Sequence, residues 1–218
     1  MLYSDHIEEC NAFAQASPDN LRRCCQFVLA TIQQQLETVP AALTSIVEQG
    51  SESKYAWGIK RAGVEWLQSQ MCIEQLYGNA IDSRERPERL LNVFLRVPGL
   101  ALVKAGFLCQ IFDNAVGCID LHNVKIYDIP VSNLRYRNEA TDVNKAAKRA
   151  RYVGLCEGLG GSTALWSRWC DYVAKLRPQN WLDDADVSQF HVDVITGKET
   201  GAIVDLFSDV EYEPTFRQ

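Results

Sequence analysis

The sequence predicts an all-α protein. Three observations predict it. Apolar residues recur at three- and four-residue intervals through most of the chain. No segment alternates apolar and polar residues as a half-buried strand would. Proline, or small clusters of Gly, Ser, Asn and Asp, punctuates the periodic segments.

The elements follow in order. Residues 5–16 read as a short helix that Ser17-Pro18-Asp19 ends. Pro18 suits the first turn of the next helix, and Leu21, Cys24, Cys25, Val28, Leu29 and Ile32 give it a stripe that runs to about Glu37. Pro40 opens a helix ending near Gly50, and Ser51–Ser53 is a turn. Tyr55–Leu76 reads as one long amphipathic helix with Ile59, Val64, Leu67, Met71 and Cys72 on its apolar side and Trp57 and Trp66 in the core; Tyr77-Gly78-Asn79 ends it.

Pro87 starts a helix that runs into Pro98-Gly99, and a second helix follows to Phe112-Asp113-Asn114. Leu90, Val93, Phe94 and Val97 form the stripe before that break, and Leu102, Ala105, Leu108 and Cys109 the stripe after it. A short helix begins at His122 or Asn123 and ends at Tyr127, with Asp120 available as its N-cap, and Pro130-Val131-Ser132 is a turn. Asp142–Cys156 is helical until Gly158-Leu159-Gly160-Gly161 stops it. Ser162 is the expected N-cap of a helix over Thr163–Leu176. The final helix starts near Asp183 or Asp184, whose charges suit a helix N-terminus, and reaches Gly197. Residues 1–197 thus read as one helical domain, in a single body or in two lobes, and 198–218 as an acidic tail. In that tail Ala202–Phe207 is apolar enough to dock as an extended segment.

At 218 residues and 47% hydrophobic, the chain holds enough core to fold unaided. No run of apolar residues is long enough for a transmembrane helix, and Met1–Asn11 lacks the apolar core of a secretory signal. The eight cysteines fall mostly inside apolar stripes with no CxxC spacing. They read as structural thiols of a cytoplasmic protein (host cytoplasm if the source is viral), and neither a metal nor a cofactor is expected.

The net charge of −6 is unevenly spread. Residues 183–218 carry nine acids and two bases, whereas Arg135, Arg137, Lys145, Lys148, Arg149 and Arg151 face only Glu139 and Asp142 in 135–151. A basic face of that kind can hold a phosphate backbone even on an acidic protein, although a solvated helix face explains it equally well.

The stretch with the most chemical promise is Val97-Pro98-Gly99-Leu100-Ala101-Leu102-Val103-Lys104-Ala105, followed by Cys118-Ile119-Asp120-Leu121-His122-Asn123. Two helices joined by so short a turn lie back against each other. The amides opening the second helix have no partner inside it and suit a phosphate oxygen.

These residues resemble the helix-hairpin-helix DNA glycosylase superfamily, in which a Leu-Pro-Gly-Val-Gly-x-Lys-x-Ala hairpin precedes Val-Asp-x-His. Ser188–Lys198, with a His before an apolar run and a Gly-basic pair, is similar to that family's closing helix. The wording of both motifs resembles the divergent members that tailed bacteriophages encode. The resemblance implies a helix-hairpin-helix DNA glycosylase-like fold of two helical lobes with a cleft between them. It implies that the hairpin amides around Gly99, Ala101 and Val103 hold a DNA phosphate. It also makes Asp120 the carboxylate beside a flipped-out base, with His122 supporting it or moving a proton. Asn123 is read as a helix cap or phosphate contact, Arg149 as a backbone contact, and His191 as a core histidine.

Two departures from the family pattern matter. Ala101 replaces the second hairpin glycine, so its Cβ either holds DNA off or demands a different turn. Aligned on Ala105, the lysine of the bifunctional members falls on Val103, and Lys104 lies one residue later. That is about 100° of helix rotation, so Lys104 should point to a different face and suits a phosphate contact, or equally a solvated surface position, better than Schiff-base chemistry. Gly158–Thr163 has the glycines of a phosphate loop but not its lysine or its preceding strand, and reads as a C-cap followed by an N-cap.

Three functions fit. The first is base excision from DNA by a monofunctional glycosylase-like enzyme working through Asp120. The second is hypermodification of thymine, in which an amino acid or amine co-substrate displaces pyrophosphate from an activated hydroxymethyl base. The third is a DNA-binding protein of the same fold without catalysis.

Overall fold

A computed structural model describes residues 3–135, 141–175 and 184–198. The described residues form eleven α-helices and no strand. They are α1 (Tyr3–Ala16), α2 (Pro18–Ala30), α3 (Val39–Gln49), α4 (Ile59–Gln68), α5 (Gln70–Ile81), α6 (Pro87–Phe94), α7 (Leu102–Asp113), α8 (Leu121–Tyr127), α9 (Asp142–Gly158), α10 (Gly161–Lys175) and α11 (Asp184–Thr196). The all-α expectation is met. The acidic tail beyond Lys198, with its apolar run, lies outside the described residues, as do Arg137 and Glu139 of the basic stretch.

Helices α2 and α7 are the axis of the molecule. Cys24 to Ala30 and Ala105 to Phe112 are buried without interruption, so both helices are enclosed on every side. α2 packs against α1, α3, α4, α5 and α7, and α7 also meets α1 and α6. The buried apolar residues join in one cluster that reaches from Ile7 in α1 to Ile195 in α11. Six of the eight cysteines lie inside it, all as free thiols. No described helix is long and apolar enough to cross a membrane.

Local chemistry sets the helix ends. The Ser17 hydroxyl accepts from the Asn20 amide at 3.1 Å and Pro18 opens α2. The Ser69 hydroxyl caps α5 through Cys72, and the Thr141 hydroxyl caps α9 through Asn144.

Four local expectations are corrected. α2 stops at Ala30, not Glu37. The Thr31 hydroxyl donates back to the Val28 carbonyl, and Gln33 adopts a left-handed φ of 53°. The glutamine run that follows has helix propensity but no apolar face to bury. The long helix over Tyr55–Leu76 is two helices, broken at Ser69 and continuing past Tyr77 to Ile81. With that helix starting only at Ile59, Trp57, Ile59 and Met71 are 47%, 63% and 64% exposed and lie outside the core. Ser162 does not cap α10. It lies within the helix, which starts at Gly161; Gly160 and Gly161 turn the chain there with φ of 96° and 81°.

One buried group in α4 is out of balance. Lys60 is 1% exposed, and among the described residues its ammonium meets the Trp57 ring at 5.2 Å but no acceptor. Burial, and secondly the charge of Lys104, pull it from 10.5 to about 8. A lowered folded-state value means the unfolded chain binds the proton better. The cost is therefore present below pH 8 and fades as pH rises to 10.5. Lys60→Met is expected to stabilise the protein at pH 7 by about 1 kcal/mol. Water near the half-exposed Trp57 screens part of the penalty and keeps the gain small. Denaturant titrations at pH 7 and pH 10 check this, because the advantage over wild type should shrink at the higher pH.

Candidate functional site

The hairpin forms as its spacing predicts. α6 and α7 pack together through an edge-to-face contact of Phe94 and Phe112, with ring centroids 5.5 Å apart. Gly99 turns the chain with φ 85°, and a Cβ there would come 2.5 Å from the Ile59 carbonyl oxygen, so both backbone shape and space require glycine. Ala101 is the exposed N-cap of α7 in extended conformation and offers no side-chain cap. The first amides of α7, at Leu102, Val103 and Lys104, are left open by helix geometry.

The segment from Val116 to Asp120 crosses between α7, α9 and α10 and is held from each. The buried Tyr152 hydroxyl of α9 donates to the Gly117 carbonyl and accepts from the Ile119 amide, both at 3.0 Å. Gln110 of α7 accepts from the Cys118 amide and donates to the Ser162 carbonyl. Gly106 leaves room for Tyr152, since a Cβ there would stand 2.6 Å from the hydroxyl. Asp120 is thereby delivered to one place by a rigid support.

At that place Asp120 is both the N-cap of α8 and a lining residue of a cavity of about 520 Å³. One carboxylate oxygen accepts from the amides of His122 and Asn123 at 2.9 and 3.0 Å. The other accepts from His122 Nδ1 and Trp169 Nε1, both at 2.9 Å. These bonds occupy the carboxylate's lone-pair directions. Burial raises the carboxyl's pKa, but the bonds from His122, Asn123 and Trp169 outweigh it and hold the group below its ordinary 3.8. Asp120 is a fixed anion and a poor base.

The cavity wall is aromatic. Trp166 and Trp169 stack at 5.4 Å, Phe107 lies 6.0 Å from Trp166, and His191 meets both indoles edge-on at 5.0 Å. Thr31, Gln34, Gln35, Leu36 and Glu37, released by the early end of α2, form another side. Lys104 lines the same cavity. Its ammonium donates to the Thr31 hydroxyl at 2.8 Å and sits 5.6 Å from the Phe107 ring.

His191 is 2% exposed and donates from Nδ1 to the Val187 carbonyl at 2.7 Å. Burial lowers its pKa from 6.5 to about 4, opposed by the Val187 bond and assisted by Lys104. The folded protein thus resists protonating a group that the unfolded chain protonates, and stability falls as pH drops from 6.5 towards 4. His191→Phe is expected to flatten that part of the stability profile, as thermal melts at pH 7 and pH 4.5 would record.

The structure gathers Asp120, His122 and Lys104 around one cavity. The rotation of Lys104 away from the family's lysine position carries it into this space and not onto an outer face. Val103 is half-buried against the core. Asn123 corrects the expectation of a phosphate contact. It is 1% exposed, and its side-chain amide donates to the Cys118 carbonyl at 2.8 Å, so it stiffens the loop below Asp120. Arg149 is half-buried on α9 and does not line the cavity. Its neighbour Lys148 is spent on the Ser132 carbonyl. Sequence reasoning missed Thr31, Phe107, Trp166 and Trp169. The i, i+3 spacing of the two tryptophans on one helix was the available signal. No protein-family model, curated protein or solved structure matches the chain.

Proposed function

We propose that the protein is a DNA base-processing enzyme that receives an extruded base in this cavity and cleaves its glycosidic bond beside Asp120. The observation that carries the reading is a carboxylate held by four hydrogen-bond donors in an aromatic-walled cavity large enough for a nucleotide. A flipped base needs a stacking surface, which Phe107, Trp166 and Trp169 offer. The glycosidic bond breaks with its electron pair leaving on the base. Positive charge gathers on the sugar carbon, where an adjacent anion lowers its cost. Water then adds its hydroxyl to that sugar carbon, and its proton goes to the departed base. The helix-hairpin-helix resemblance supports the same reading by giving the open amides at the start of α7 a DNA phosphate to hold.

The saturated carboxylate favours excision over amine transfer to an activated base. A general base for an incoming amine needs a free lone pair, and Asp120 has given its lone pairs to four donors. The test is to incubate the protein with duplexes carrying uracil, oxidised, alkylated or phosphorylated hydroxymethyl bases and to weigh the nucleosides released. Free base with an abasic site is the expected result. A heavier nucleoside would establish modification instead, and no change on any duplex would leave DNA binding alone.

A further inference from the structure

Two polar groups in the cavity are unexplained by the role of Asp120. Lys104 has three N–H bonds, and Thr31 takes one of them. His191 is the opposite case. With Nδ1–H fixed on the Val187 carbonyl, Nε2 is the unprotonated nitrogen and can only accept. The His191 ring cannot turn to hide that lone pair. Phe27, Phe190, Trp166 and Trp169 hold it edge-on, with centroids 5.0–6.0 Å away.

The two groups belong to the same wall. Phe107 lies under the Lys104 ammonium, packs against Trp166 and shares Phe27 with His191. Lys104, a cationic donor, and His191, a neutral acceptor, thus line one cavity along one aromatic surface, and Asp120 lines the same space.

A planar ring that satisfies both must carry an acceptor beside a donor. A carbonyl oxygen has two lone pairs and takes an ammonium well, and the N–H next to it is a good donor to imidazole. An amino-pyrimidine such as cytosine has a ring nitrogen in place of that N–H, which would set two lone pairs against each other at Nε2. We propose that Lys104 and His191 together read a lactam edge, C=O beside ring N–H, of the kind that thymine and uracil carry and cytosine lacks. The proposal rests on the base-pocket reading of the cavity given above. It makes Lys104 a binding residue that also faces negative charge as the base departs, opposite the anion that faces the sugar.

The experiment titrates the full chain with thymidine, 3-methylthymidine and deoxycytidine, read by the fluorescence of the cavity tryptophans. Thymidine is expected to bind at least tenfold more tightly than either of the others. His191→Phe, which keeps the ring packing but has no lone pair, should reduce that preference to about twofold, and Lys104→Met should weaken thymidine more than 3-methylthymidine. The methylated ligand makes the test independent of whether either variant folds. Equal binding of thymidine and 3-methylthymidine, deoxycytidine binding as tightly as thymidine, or no binding by any of the three overturns the proposal. The duplex assay for excision separates this from failure of the base-pocket reading, since base release that depends on Asp120 would stand even if the edge preference did not.

Discussion

Asp120→Asn is expected to lower the rate of base release on the order of 10²–10³-fold while leaving the helices in place. The substitution keeps the shape and the cap. Its side-chain oxygen still accepts from the His122 and Asn123 amides that open α8. It removes the charge that the sugar cation needs, and it places an NH2 group where Trp169 donates. The unpaired indole N–H should cost about 1–2 kcal/mol, seen as a lowered melting temperature. The sign of the pH dependence follows from the lowered carboxyl. Wild type gains its advantage above the unfolded value of 3.8 and loses it as pH falls through the still lower folded value. The stability gap between wild type and variant should therefore close in acid. Full activity in the variant would remove Asp120 from the mechanism.

The second large effect is expected far from the reacting atoms. Tyr152→Phe deletes the hydroxyl that pairs with the Gly117 carbonyl and the Ile119 amide in the strap below Asp120. Leaving those buried backbone groups short of a partner should cost about 1–3 kcal/mol. Loosening the strap should also slow base release on the order of 10–10²-fold, because a small displacement of a positioned charge is expensive. Gly106→Ala drives a Cβ to 2.6 Å from the same hydroxyl and should reproduce the effect from the opposite side. The binding of substrate DNA should change less than the rate, which single-turnover kinetics would separate. A rate unchanged in both variants would mean the strap does not position Asp120.

Much of the fold was legible because this chain writes its helix boundaries in local chemistry. Ser17-Pro18, Pro87, Asn114 and Gly158–Gly161 all mark real ends, while Pro98-Gly99 lies inside a longer turn, since α6 stops at Phe94 and α7 starts at Leu102. The misses come from tertiary context. Nothing local distinguishes the glutamines after Ala30 from a continuing helix, yet their release forms one side of the cavity. Trp57 reads as core on a helix starting at Tyr55, but with α4 starting only at Ile59 it is half-exposed and leans on Lys60. The candidate site was half legible. Asp120 and His122 stood out in an apolar run. His191 reads as a core histidine and is one, beside the buried Trp166 and the partly buried Trp169; the cavity simply borrows the faces that the core leaves uncovered. Register alone gives Lys104 a helix face but not a destination, which Thr31 at the end of α2 supplies by accepting from its ammonium.

The central claim is that a base leaves its helix and enters the cavity with its sugar beside Asp120. The most direct measurement is the structure of the protein bound to a duplex whose target nucleotide carries a 2′-fluorine. That substituent disfavours positive charge on the sugar and keeps the glycosidic bond intact. The account predicts the base against Phe107, Trp166 and Trp169, the sugar next to the Asp120 carboxylate, and a phosphate on the open amides of α7. A base that stays stacked in the duplex, or a cavity that remains empty while DNA binds elsewhere, would contradict it.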